Sequence, residues 1–535
     1  MIFRKKASII IIILIIITAI SGCAYEQRKK QNLVAALEFG VTTLDPAYLR
    51  LLNEQYLACN LWEGLIRKNV DGSIEPGIAE RYDVSEDGLK YTFYLRKGAK
   101  WSDGKPVTAG QFEYAWKRAL NPSVDSSVVF MMYFLKNGEA YNKNKAKIND
   151  VGVKAIDDHT LEVTLEKPAP YFLEILSYHT YYPVRQDIVE KDHASWHRKP
   201  YMLVSNGPFY VEMWNYNEEI KTVKNPYYWD KENVKLDSIT FLLEKDGNEI
   251  WPKYLAGEID FGYVFADNRN NLMNEITTRK NNVISEVSLS TYYLYFNSRN
   301  KPFDNIKVRQ AFELALDRKG LVKVRQKAEN VATGFVPPGM PDVEPGSDFR
   351  LAGGEFMHKE FSIENISKAK ILLKEAGYQS MNNFPSIVVL TKDTTGVEFI
   401  EKEWEKNLGV DIILNKCKSE LFSQKKSEGD YDIVINNWIA DFADPINFLG
   451  FLASENSFKG ILPNEYYLLV EKSNAVADNA QRLILLHEAE KLLLDSYSLI
   501  PLFFRKDVYY IKPCVKNYLK TPLAEIYFRN AYIEE

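Results

Sequence analysis

The first two dozen residues restrict where everything after them has to fold. Arg4, Lys5 and Lys6 make a short basic start, an unbroken apolar run follows from Ile9 to Ile17, and Ser21 and Gly22 lead to Cys23. A charged start, a brief apolar core and small residues before a cleavage point form the pattern of a secretory signal, expected over residues 1–22. The run is shorter than the ~20 apolar residues that a membrane-spanning helix needs. From Ala24 to Asn32 the chain is polar and charged, with Glu26, Arg28, Lys29 and Lys30. Such a segment cannot bury a core, so residues 23–32 are expected to act as a tether. No later run is long and apolar enough to cross a membrane, and the rest is expected to fold in water.

The remainder of the 535 residues is long enough for about three domains of ordinary size. Its 67 Lys and Arg nearly balance 72 Asp and Glu, with no large basic block, which argues against nucleic acid as a partner. Beyond Cys23 there are three cysteines, Cys59, Cys417 and Cys514. That number permits one disulfide at most, of unspecified pairing, and the spacing suggests no metal cluster. Aromatics are abundant, with 33 Tyr, 28 Phe and 9 Trp. Rings line clefts that hold varied ligands, but they also fill ordinary cores.

Strand and helix signals alternate, which predicts a mixed α/β protein. Tyr91, Phe93 and Leu95 alternate with polar neighbours, as do Leu161, Val163 and Leu165, and both read as half-buried strands. Thr108 and Gln111 have capping-box spacing ahead of Phe112, Ala115, Trp116 and Ala119. Further helices are expected from Asn305, burying Val308, Ala311, Phe312 and Ala315; from Ser367 to Ala376, stopped by Gly377; and from Gln481 to Asp495.

Catalytic signatures are missing: there is no phosphate-binding Gly-rich loop and no Gly-x-Ser-x-Gly elbow. His193 and His197 have metal-binding spacing, but Ala194 stands where a zinc protease needs Glu, and no third ligand is evident. Asp83-x-Ser85-x-Asp87-Gly88 begins like a calcium loop, yet its twelfth position is Tyr94, which offers no carboxylate. It reads better as a turn. The expectation is a protein without catalytic residues, metal or cofactor.

A series of longer strings carries a resemblance. These are Leu44-Asp45-Pro46, Leu61-Trp62-Glu63-Gly64-Leu65, the stretch from Tyr91 through Trp101-Ser102-Asp103-Gly104, Val153 to Leu161, Asn206-Gly207-Pro208-Phe209, Lys301-Pro302-Phe303 and Trp438-Ile439-Ala440-Asp441-Phe442. In this order, from about Val34 to Asn530, they resemble the oligopeptide-binding proteins of bacterial ABC importers, in the peptide/nickel-type family 5 of solute-binding proteins. Ile20-Ser21-Gly22-Cys23 likewise resembles the bacterial lipobox, which implies a lipid on Cys23 and attachment to the membrane. The resemblance implies a two-lobed periplasmic-binding-protein-like α/β fold with an additional domain in the first lobe. Lobe one would comprise 33–62, 187–289 and 509–535, the additional domain 63–186, and lobe two 290–508. The chain would cross between lobes near Ser290 and again near Arg505.

The same resemblance assigns roles. Asp441 would pair with a peptide's ammonium, with Asn437, Trp438 and Ile439 supplying backbone groups and a pocket wall. On residue type alone Asp441 reads rather as a turn or cap aspartate, next to Asp444 and Pro445; the flanking match from Trp438 to Phe442 reverses this in favour of ligand contact. Leu52 would lie on a lobe-one strand touching the ligand. Tyr292, Tyr293 and Tyr295 stand either along the cleft or in the core, since alternation does not choose. Lys426 matches one of the family's carboxylate-binding basic positions, whereas Ile435 replaces another and Ser419 replaces a pocket tryptophan. Two bridged cysteines of a relative correspond to Ser290 and Ile439, so that bridge is expected to be missing. The implied partners are short peptides and importer permease subunits, bound by a monomer. Alternatives are a dipeptide, murein-peptide or metal-chelate carrier, or a receptor for pheromone peptides.

Overall fold

The structure, a computed structural model, describes residues 31–69, 72–126, 128–264, 283–325, 329–344, 346–357, 360–392 and 395–534. The expected signal, Cys23 and most of the tether lie outside the described residues. Asn32, assigned to the tether, instead opens the strand Asn32–Glu38 and pairs with Ser238.

Two long strands organise the molecule. Val283–Phe296 and Leu499–Ile511 are rich in Val, Ile, Leu, Tyr and Phe, the residues that suit a pleated, buried surface. They run antiparallel in register from Val283↔Tyr510 to Val287↔Lys506, and again from Thr291↔Phe504. Between these stretches Ser288, Leu289 and Ser290 face Arg505 alone, a bulge that bends the ladder at the positions named for the crossings. One sheet extends from this pair in both directions. Phe261–Val264, Asn32–Glu38, Ser238–Glu244, Glu219–Lys224 and Phe209–Asn215 follow on one side. Ile433–Ile439, Ile387–Thr391 and Ile412–Lys416 follow on the other, and these three run parallel to one another. The result is a two-lobed α/β molecule.

Within 63–186 a separate antiparallel sheet has the order Ala79–Val84, Lys90–Leu95, Thr160–Thr164, Val153–Asp157. The calcium-like string is the hairpin turn of its first pair: Asp87 accepts hydrogen bonds from Ser85 and from the Leu89 N–H, and Gly88 has φ +67°. The helix Ala109–Ala119 begins where Gln111 Oε1 accepts both the Thr108 N–H and the Trp101 indole N–H, each at 2.9 Å. Asp103 in the adjoining turn meets Arg185 at 3.0 Å, and Gly104 has φ +83°. These strings serve the fold.

Helix Ile306–Leu314 starts at Asn305, whose side chain accepts the Lys307 N–H. The next expected helix runs Ile363–Glu375, a turn earlier than Ser367, because Ser362 caps it by accepting from Asn365 N. Asn479–Asp495 likewise starts ahead of Gln481, capped by Asp478. Many aromatics belong to the core: Phe296, Phe303, Phe312, Phe384 and Trp404 pack ring against ring.

Candidate functional site

The strand Ile433–Ile439 pairs along its whole length with Val283–Phe296, from Phe296↔Ile433 to Ser290↔Ile439. On its other edge, Ile387–Thr391 accompanies it only as far as Ile435. Among the described residues, Asn436 to Ile439 therefore have no strand beside them on that edge. An open edge presents unpaired backbone N–H and C=O groups, which a further strand can complete. Asn437 and Trp438 are half-buried there, and Ile439 is 47% exposed.

Directly beyond this edge lies Asp441. Asn447, on the helix Ile446–Ser454, holds the surroundings in place. Its Oδ1 accepts the Trp438 indole N–H at 2.9 Å and the Asp441 backbone N–H at 3.3 Å, while its Nδ2 reaches the Asp441 carboxylate at 3.5 Å. The Trp438 ring stacks on Phe451, with centroids 3.6 Å apart. Burial pushes the Asp441 carboxyl up to about 6, against the opposing Asn447 hydrogen bond. Tyr178 is close enough for the Asp441 charge to add to burial in raising its hydroxyl. Asp441 has no cationic partner among the described residues. Asp444 differs: Arg482 grips it with both nitrogens, at 2.9 and 2.6 Å. Of the two aspartates, one is neutralised by the fold and the other has no cationic partner among the described residues.

The other predicted residues are dispersed. Leu52 is the first residue of the helix Leu52–Leu61, where a strand was expected. The cause is Glu54, whose carboxylate accepts the N–H groups of Thr42, Arg50 and Leu51 and folds the segment into a helix start. Tyr293 is fully buried, edge-on to Phe335 at 5.2 Å, and so packs the core as placed. Its neighbour Tyr292 is half-buried, stacked on Phe503 at 4.5 Å beneath the Arg325 guanidinium. Lys426 pairs with Glu455 at 3.0 Å, so its charge is already answered within the protein. Ser290 and Ile439, the positions of a relative's disulfide, are direct register partners. His197 is buried with Nδ1 2.8 Å from the Thr43 hydroxyl, and no group of three potential metal ligands occurs among the described residues. Sequence reasoning missed Asn447 and Tyr178. Pro445 opening a helix just after Asp441 was the available signal for Asn447.

Comparison with known proteins adds to this geometry. A profile of the bacterial extracellular solute-binding proteins, family 5 (middle), matches residues 73–460. The chain is 37% identical over 475 residues to the dipeptide-binding protein DppE of Bacillus subtilis, covering 87% of this chain and 85% of that one. It is 33% identical over 524 residues to the periplasmic oligopeptide-binding protein OppA of Salmonella typhimurium, covering 94% and 93%. Among solved structures, the murein tripeptide-binding protein MppA of Escherichia coli in its unliganded open form superposes with a TM-score of 0.81. The identity there is 29%, over 94% of this chain and 98% of that one.

Proposed function

Because the chain belongs to family 5 of the bacterial extracellular solute-binding proteins, we propose that it captures short peptides outside the cytoplasm for the permease of an ABC importer. The observation that carries this is Asp441, an uncompensated half-buried carboxylate at the end of an open strand edge. A peptide adding itself along Asn436 to Ile439 satisfies its backbone without regard to its sequence. Its ammonium then meets Asp441, which fixes direction and register. Trp438, held by Asn447 and Phe451, walls one side-chain position, while Asn437 and Ile439 offer backbone groups. Leu52 approaches from the start of its helix in lobe one, while Tyr293, buried against Phe335, lies in the core. The role is capture and delivery, not catalysis.

Calorimetry on four combinations tests this: wild type and Asp441→Ala, each with a free and an N-acetylated peptide. Removing one partner of a buried ion pair costs about 3–5 kcal/mol, so each single change is expected to weaken binding roughly a hundredfold or more. Both together should cost far less than the sum, because they break one interaction. Equal wild-type affinity for free and acetylated peptides would return Asp441 to a structural role. The finer reading of location is a lipid on Cys23, as Ile20-Ser21-Gly22-Cys23 suggests. Cys23→Ser is expected to release the protein or leave it unprocessed; ordinary membrane retention with cleavage after Gly22 refutes the anchor.

A further inference from the structure

Among the described residues, the buried Arg482, Arg350 and Arg309 are each engaged by several acceptors, and the part-buried Arg505 is not. Arg482 holds Asp444 with two bonds and also reaches Asn479. Arg350 binds Glu490 and the carbonyl of Gly354. Arg309 donates to the carbonyls of Phe303 and Ser496. Arg505 has only 15% of its side chain exposed, yet its one ionic or hydrogen-bonding contact among the described residues is a 3.5 Å approach of Nη2 to Asp507. Asp507 is itself committed, accepting from the Tyr263 hydroxyl at 2.9 Å and facing Lys520 at 3.4 Å. The Arg505 Nε is buried without a hydrogen-bond partner among the described residues. A guanidinium carries five donors, and leaving buried donors unmade is costly.

Its position says what it awaits. Arg505 is the residue opposite the bulge Ser288–Ser290, where the two long strands bend between the lobes. Buried hydroxyls of Ser290 and Thr291 in the same bend also lack partners among the described residues. Alternate residues of a strand share a face, so Arg505 lies on the face of Phe503. Phe503 stands in register with Tyr292, and Tyr292 with Asn437, so this is also the face of Asn437 and Ile439. Tyr56, from the helix that begins at Leu52, and Tyr292 lie near the guanidinium from the two lobes. Arg505 therefore sits at the floor of the cleft, on the face that the open edge presents.

We propose that Arg505 receives a carboxylate of the bound ligand at the floor of the cleft. The planar fork of arginine matches a carboxylate with two parallel bonds, which lysine cannot copy. This inference rests on the reading that the cleft holds peptides. The carboxylate has two sources, an acidic side chain or the C-terminus of a very short peptide. Calorimetry with the whole mature protein separates them, using tripeptides with Glu or Gln at each position and dipeptides as free acids or amides. Wild type is expected to favour the carboxylate form in one arm by about ten- to hundredfold. That preference should vanish in Arg505→Gln and survive in part in Arg505→Lys. Equal affinities in both arms for wild type, or an unchanged preference in either variant, overturn the proposal. If Arg505→Gln fails to fold, wild type and Arg505→Lys decide it. N-acetylation in the same series keeps the two readings apart. A retained acetylation penalty without carboxylate discrimination rejects only Arg505, whereas no measurable binding of any peptide in the series, free or acetylated, rejects the peptide reading itself.

Discussion

Asp441 and Asp444 belong to one short loop and meet opposite fates, and the difference produces a testable pH dependence. Asp444 is neutralised by Arg482, whereas burial holds the Asp441 carboxyl up to about 6. A raised carboxyl favours the protonated form, so the free protein is relieved at this residue as pH falls through about 6. Capture runs the other way, because an ammonium needs the ionised carboxylate. Affinity for a free-amine peptide should therefore be about tenfold weaker at pH 5 than at pH 7, and should fall again above about pH 8 as the peptide's own amine loses its proton. Asp441→Asn should remove the acid-side slope, and titration calorimetry across the range checks it. Buried histidines do not imitate the effect: His179 is pushed down to about 3 and stays neutral. A slope of equal steepness in Asp441→Asn would place the titrating group elsewhere. The flanking string made Asp441 legible in the sequence. Its lack of a cation was not, because Arg482 lies far along the chain and its choice of Asp444 is a matter of tertiary packing.

Among elements, the sequence was most informative where one segment decides its own structure. The capped helix after Thr108, the hairpin turn at Asp87 and the helix stop at Gly377 all rest on contacts within a few residues. Leu52 was misread because its helix start depends on the Glu54 carboxylate gathering the Thr42 N–H from further back. Tyr292 and Tyr293 could not be told apart, since alternation fixes that they face opposite ways but not which way the core lies. Asn447 and Arg505 gain their meaning only once strands from distant segments are laid side by side. The pairing of Ser290 with Ile439 gives this register a direct check. Opposed residues of an antiparallel pair have Cα atoms about 4.5–5.5 Å apart, within the span of a disulfide. Ser290→Cys with Ile439→Cys should bridge under mild oxidation and stabilise the protein by about 2–4 kcal/mol. Two more titratable thiols in the unfolded, unreduced double variant than in wild type treated the same way would show that the strands are not so aligned.

At the scale of the whole molecule, the residue after Asp441 joins parts of the chain that share no sheet. Phe442 stacks flat on Tyr171, with centroids 5.4 Å apart and rings 4° from parallel, and meets Phe134 edge-on at 6.1 Å. Arg482, while holding Asp444, lies 4.9 Å over the same Tyr171 ring. Tyr171 and Phe134 belong to the segment that carries the separate four-stranded sheet, whereas Phe442 follows the strand Ile433–Ile439 and Arg482 lies on the helix Asn479–Asp495. These docked rings are thus one peptide bond away from Asp441, the carboxylate proposed to receive the ligand. Aromatic pairs contribute about 0.5–1.5 kcal/mol beyond the area they bury, or roughly a two- to tenfold effect on an equilibrium. If this docking holds the liganded cleft shut, Tyr171→Ala should speed peptide release about two- to tenfold and leave association nearly unchanged. Stopped-flow mixing measures both rates, and small-angle scattering of the liganded variant should report a larger mean radius than wild type. If Tyr171→Ala instead slowed association and left release untouched, the ring contact would shape entry to the cleft and would not hold it shut.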